Sequence, residues 1–263
     1  VQSGVTLVVN SMPGTATAAD FTAIVAGAVS FAANSTTSQT INVSVNNDAI
    51  DEDDESFSLV LSDLVASGSV TLGAASAEGT IQDNDTAGIT VAQSDGTTAV
   101  TEDGATDSYT VALSSEPTAD VVITLSGGTQ VTTAPASLTF TSANWSVAQT
   151  VVVTAIDDAL DEDSPHPGSV TSVVTSSDGK YSVITVPALA VQITDNDPTP
   201  ILSITSPSQP EGSVGPSLMN FVVSLSAVSG RDVSFTRATA DGTATVADND
   251  YTPLPAATAT IAA

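Results

Sequence analysis

The sequence contains no cysteine among its 263 residues. No disulfide can staple it, and its compartment cannot be read from thiol chemistry. Strong bases are almost missing as well. Lys180, Arg231 and Arg237 stand against 30 Asp and Glu, for a formal net charge of -27. Nucleic acid and anionic membrane are therefore excluded as partners, since both need basic patches. Three strong cations can neutralise at most three carboxylate charges; the others must be solvated, protonated or neutralised from solution. No apolar run approaches the roughly 20 residues that span a bilayer, so membrane insertion is not expected. Residues Val1 to Asn10 carry neither an initiator Met nor a signal-peptide pattern. The expectation is a window cut from a longer protein. Aromatics are only 4%, and there is a single histidine, His166.

What is present is β-branched. Hydrophobic residues make up 41% of the chain and are mostly small, enough for a core and too many for an acidic disordered chain. Ile41 to Val45, Phe57 to Leu59, Tyr109 to Val111, Ser137 to Phe140, Val191 to Ile193 and Leu202 to Ile204 alternate apolar and polar. That is the period of half-buried strands. Val121 to Ile123 and Val151 to Val153 are continuous apolar runs, read as strands buried on both faces. Gly, Asn, Asp and Pro clusters separate these segments, and no helical pattern emerges.

The chain repeats itself. Asp83-Asn84-Asp85 returns as Asp195-Asn196-Asp197, Asp51-Glu52-Asp53 as Asp161-Glu162-Asp163, and Gly14-Thr15-Ala16-Thr17 as Gly242-Thr243-Ala244-Thr245. All three agree on a period near 112 residues. The expected fold is all-β: tandem immunoglobulin-like β-sandwich modules of about 110 residues. The expected modules are 1–85, lacking its first strand or strands, 86–197, and 198–263, the opening part of a third. Linkers this short should leave neighbouring modules touching.

The acids are clustered rather than spread. Five successive acids, Asp51 to Glu55, lie between two strand patterns with no base nearby. Carboxylates about 5 Å apart repel by roughly 3 kcal/mol at an effective dielectric near 20, so a folded loop of this kind needs compensation. Calcium provides it, because it accepts six to eight oxygens in loose geometry. Magnesium demands a stricter octahedron. Zinc and copper prefer His and Cys, nearly missing here. The alternatives are a merely solvated turn and, for the Asp-Asn-Asp triplets, an ordinary tight turn.

At Asp48, Glu52 and Asp54-Glu55-Ser56-Phe57, followed by Leu59-Val60-Leu61-Ser62, the sequence resembles the signature of Calx-beta domains. The tail from Ala77 to Asp85 is similar to that family's closing strand and terminal acidic triplet. Glu211-Gly212, Asp241 to Thr245 and Asp250-Tyr251 resemble its opening half. The resemblance implies a seven-stranded sandwich holding calcium in loops at one tip. Matching positions are Asp48, Glu52, Asp54, Glu55, Asp83 and Asp85, with Asp20 near the Asp-Tyr position, and Glu211 and Asp250 in the third module. The second module departs from the pattern. It keeps Asp157, Asp158, Asp161 and Glu162 but reads Asp163-Ser164-Pro165-His166-Pro167 where the Asp-Glu pair belongs. Glu102, Asp157, Asp158, Asp161, Glu162, Asp195 and Asp197 remain as ligands, with fewer or weaker ions expected.

No catalytic constellation is evident. His166 lacks a Ser and Asp pattern around it, and Trp145 reads as packing. The expected role is structural: a calcium-stiffened segment of a secreted or cell-surface adhesin, stalk or filament, meeting its own modules, identical subunits, or surface glycans and proteins. The competing readings are spacer or glycan-binding modules of a secreted enzyme, and strand exchange between incomplete terminal sandwiches.

Overall fold

The computed structural model describes residues 3–263. Val1 and Gln2, the first positions of the expected first module, lie outside the described residues. Every named element is a strand.

The first unit is one antiparallel sheet. Its strands are β1 (Val5–Pro13), β2 (Gly27–Phe31), β3 (Glu55–Ala66) and β4 (Ser76–Ile81), in the order β2-β1-β3-β4. Val5, Leu7 and Val9 alternate on the buried face of β1. At the acidic end, Phe21 and Phe57 stack with ring centroids 4.6 Å apart and, with Ala16, form the buried cluster beneath the loops. Phe57 pairs with Gly79 across β3 and β4. A Cβ at Gly79 would lie 2.9 Å from the Phe57 ring, so only glycine fits that approach. Residues 41–45, expected as a strand, make one isolated bridge, Phe21 to Val45. Their counterpart in the second unit is a full strand held between two neighbours. Beside 41–45 stands the short segment 20–22, through that bridge and the Thr22 and Asn46 amides, and it is not extended into a strand.

The second unit is a two-sheet sandwich. Its strands are β5 (Ile89–Gln93), β6 (Thr98–Thr101), β7 (Asp107–Leu113), β8 (Val121–Ser126), β9 (Val131–Ala134), β10 (Ser137–Phe140), β11 (Gln149–Ala155), β12 (Leu160–Asp161), β13 (His166–Ser176) and β14 (Leu189–Thr194). One sheet runs β10-β8-β13-β14-β6 and the other β5-β7-β11-β9. The core draws on both, with Tyr109, Val111, Ile123, Leu138, Phe140, Val151, Val153, Val170 and Ile193 buried, and Trp145 packed at its edge. The valine runs are not buried on both faces, contrary to the sequence expectation. Val121 and Ile123 point inward while Val122 is half-buried; Val151 and Val153 are buried while Val152 is 37% exposed. Each sheet covers only one side of the core, so period two wins over composition.

The loop between β13 and β14 is fixed by buried polar groups. The Tyr181 Oη donates to the Ser115 carbonyl at 2.7 Å and accepts the Ser115 amide at 3.1 Å. Asp178 accepts the amides of Thr118 and Lys180, each at 2.8 Å. Burial pushes its carboxyl up, but these amides outweigh it and leave it below the usual range. Tyr181→Phe strands buried groups at Ser115 and should destabilise this unit by about 1–3 kcal/mol. A denaturant midpoint unchanged from wild type would show that Ser115 finds other partners.

The remaining strands are β15 (Leu202–Ile204), β16 (Val223–Leu225), β17 (Val228–Ser229), β18 (Val233–Arg237) and β19 (Ala257–Ile261). They form the two-stranded pairs β15-β16 and β18-β19, while β17 pairs in parallel with β12 of the second unit. Ile204, Leu218 and Phe221 stay exposed, because two-stranded ribbons offer no second layer to bury them.

Candidate metal centres at the acidic tips

Three chain segments meet at the first tip. The turn after β1 is held by Ser56, whose carbonyl accepts the amides of Gly14 and Ala16 at 3.1 and 3.0 Å. Thr17 then donates its amide (2.6 Å) and hydroxyl (2.8 Å) to Asp20 Oδ2. These bonds hold the Asp20 carboxyl below the usual range and fix it at 7% exposure. In the acidic loop, Asp48 Oδ1 accepts the Ile50 amide at 2.9 Å. The terminal triplet closes over that loop: Asp83 donates its amide to Asp54 Oδ1 (3.1 Å), and Glu52 donates its amide to Asp83 Oδ2 (3.3 Å).

The result is a cleft of about 40 Å³, above the volume needed for a single water or ion. Asp20, Asn46, Asn47, Asp48, Glu52, Asp53, Glu55, Gln82, Asp83, Asn84 and Asp85 surround it, with Ile81 and no basic residue. One carboxylate oxygen from each of Asp20, Glu52 and Glu55 lies within 4.8 Å of the others. Partial desolvation, followed by the charges of Asp20, Asp48 and Asp83, pushes Glu52 up. Desolvation, then the contact with Asp20, does the same for Glu55. Crowded oxygens of this kind, with their own negative field opposing ionisation, fit a hard divalent cation.

The second tip has the same frame with different side chains. Asp158 Oδ1 accepts the Leu160 amide at 2.8 Å, as Asp48 does for Ile50. The Gln130 carbonyl accepts the Ile156 amide at 2.9 Å, as the Asp20 carbonyl accepts Asn46 at 2.8 Å. Gln130 therefore stands in the place of Asp20. His166 pairs with Ile193 as Glu55 pairs with Ile81, so His166 stands in the place of Glu55. Ser164 replaces Asp54, its hydroxyl accepting the Asp195 amide at 3.2 Å. Asn196 reaches Asp157 Oδ1 at 3.1 Å through its side-chain amide, and its backbone amide reaches Glu102 Oε2 at 3.4 Å. Ligand atoms of Glu102, Asp195 and Asp197 lie within 4.8 Å of one another, as do those of Glu102, Glu162 and His166. Burial is the largest influence raising Glu102, joined by Asp195 and Asp158. Burial and the charges of Asp195, Asp157, Asp158 and Asp161 raise Asp197.

Acids of the same loops also meet bases. Asp161 and Asp163 pair with the Arg231 guanidinium, each at 2.7 Å. Asp51 and Asp53, 110 residues earlier, pair with Lys180, each at 3.0 Å. Asp51 also accepts the Ala87 amide at 2.7 Å. Each acidic loop thus presents alternate residues to the following unit. In the last unit, Asp250 accepts the Thr245 amide at 2.8 Å. Glu211 and Asp250 are both exposed and belong to no three-residue ligand group among the described residues. Sequence reasoning missed Gln130, His166, Lys180 and Arg231 as tip and joint residues. The scarcity of bases was the available signal for the last two.

A Calx-beta domain profile matches residues 1–85 and 203–258, more than half of the chain. No curated protein matches it. Among solved structures the chain is similar to CBD12 from CALX1.2, at 18% identity over 73% of this chain and 88% of that one, with a TM-score of 0.33. It is also similar to the calcium binding domain CBD12 of CALX1.1, at 17% identity over 73% and 87%, with a TM-score of 0.36. The apo-form Calx CBD1 domain matches at 20% identity over 41% and 98%, with a TM-score of 0.29. On the strength of the profile match, this chain belongs to the Calx-beta domain family.

Proposed function

We propose that this chain is a calcium-binding structural segment of an extracellular stalk or filament, in which the ion orders the loops that meet the next module. The observation that carries the reading is the first cleft, where three separate segments bring oxygen ligands together and no base lines the space. Asp20, Glu52 and Glu55 would hold the ion, with Asp48, Asp83 and Asp85 at its rim. Calcium supplies the positive charge that lets these carboxylates crowd together while ionised.

The ion-bearing loop is also the joint-bearing loop. Asp51 and Asp53 reach Lys180 of the second unit from the same five residues that supply Glu52 and Glu55. The Glu116 amide also donates to the Ala49 carbonyl at 2.6 Å. Ordering the loop therefore orders the joint. The acid-rich surface suits a repulsive, soluble surface rod rather than a nucleic-acid or lipid partner.

Small-angle scattering of residues 1–263 tests the rod. Calcium should give one extended distance distribution, and chelator should broaden it. The Lys180→Gln, Arg231→Gln double variant should broaden it even in calcium. Superimposable curves in all three conditions would remove the link between ion and joint.

A further inference from the structure

We propose that the tip of the second unit is a transition-metal site of the zinc type, with His166, Glu162 and Glu102 as its protein ligands. His166 is the only histidine of the chain and is 7% exposed; Glu102 is 5% exposed. Neither ring nitrogen of His166 has a hydrogen-bond partner among the described residues, and the same holds for Glu162 Oε2. An unpartnered buried polar group is costly, and here three such atoms lie at one place. His166 Nε2 and Glu162 Oε2 stand 3.0 Å apart, yet they are not aligned as a hydrogen bond. A plain imidazolium–carboxylate pair would aim its N–H at the oxygen. Two ligands of one small cation sit at about this separation without facing each other, given bonds of roughly 2.0–2.2 Å. Glu162 is held from behind, since its Oε1 accepts the Gln130 side-chain amide at 3.3 Å.

Comparison with the first tip tells which cation fits. The first tip gathers Asp20, Glu52 and Glu55. At the equivalent places the second carries Gln130, Glu162 and His166, and adds the buried Glu102. Two carboxylates have become an amide and an imidazole. Calcium takes oxygen in high number and gains little from a ring nitrogen. Zinc takes imidazole and carboxylate together, and two carboxylates with one imidazole leave a position for water or another acid. Glu102 also belongs to the group with Asp195 and Asp197, which can supply that fourth oxygen. The site shares no residue with the first tip, so it does not depend on calcium binding there.

The test uses ¹⁵N-labelled residues 1–263 titrated with zinc sulfate in excess calcium, which occupies exposed carboxylates. With one histidine, the ring-nitrogen spectrum reports one site. One equivalent of zinc should move a single ring nitrogen strongly and saturate. Calorimetry should show His166→Gln weakening zinc by at least about tenfold, since even outer-shell changes at metal sites cost 10- to 100-fold. His166→Glu, which restores the carboxylate of the first tip, should lose zinc and bind calcium more tightly than wild type. Ring nitrogens indifferent to zinc would overturn the proposal, as would equal zinc affinity in His166→Gln. Those measurements need no variant of the first tip, so a failure there and a failure here are read separately.

Discussion

Chelation of calcium should lower the melting temperature of the first unit by about 10–20 °C. A ligand present at 100 times its Kd stabilises the folded state by about 2.7 kcal/mol, and a small domain shifts by about 4–8 °C per kcal/mol. The unit is sensitive because its own resources are small. Ala16, Phe21 and Phe57 are its buried cluster at the tip, beneath a cleft lined by seven acids and no base. Without the ion the crowded carboxylates must repel or take up protons, as the raised Glu52 and Glu55 indicate. The second unit has a large two-sheet core and should melt as a separate, less calcium-dependent transition. Magnesium should not restore the loss, since it needs near-ideal octahedral geometry. Calorimetric scans in calcium, magnesium and chelator decide the matter. If the first transition does not move on chelation, its acids serve solubility alone and the calcium reading falls.

Phe57→Ala should cost the first unit about 3–5 kcal/mol, the usual range for emptying a buried aromatic site. It should weaken calcium binding at the first tip as well. Phe57 follows Glu55-Ser56 on β3, stacks on Phe21 at 4.6 Å, and pairs with Gly79 on β4. Phe21 in turn follows Asp20. The ring pair therefore positions two of the three clustered carboxylates and the strand leading to Asp83. Circular dichroism should show the loss at 25 °C in chelator, with calcium only partly restoring it, and calorimetry should show weakened calcium binding. Phe140→Ala, in the core of the second unit, should leave first-tip binding intact. Wild-type affinity in folded Phe57→Ala would mean that the loops set the site without the rings.

Much of this was legible in the residues. Period-two alternation and β-branched composition dictate strands, since only a pleated surface places alternate side chains on one face. Recurring Asp-Glu-Asp and Asp-Asn-Asp runs marked where acids cluster, but not that Asp51, Asp53, Asp161 and Asp163 of those runs meet the internal bases Lys180 and Arg231. The profile match agrees with the family resemblance carried by Asp48 to Ser62. Local pattern could not decide burial on the second face of the valine runs, which depends on whether another layer covers the sheet. It could not settle residues 41–45 either, since a strand forms only where neighbours accept its hydrogen bonds.

Through its own order, the sequence determined that this chain is all-β, repetitive and strongly acidic at recurring loops. Only the tertiary structure decided which side chains occupy equivalent places. Glu162 and His166 are four positions apart where Glu52 and Glu55 are three. That one-residue difference hides the equivalence of His166 and Glu55 until strand register reveals it. Lys180 and Arg231 lie 127 and 68 residues from the acids Asp53 and Asp163 that they meet. Spacing along a chain fixes neighbours within a strand or turn, whereas contacts across such distances follow from how the sheets fold back and how the units abut.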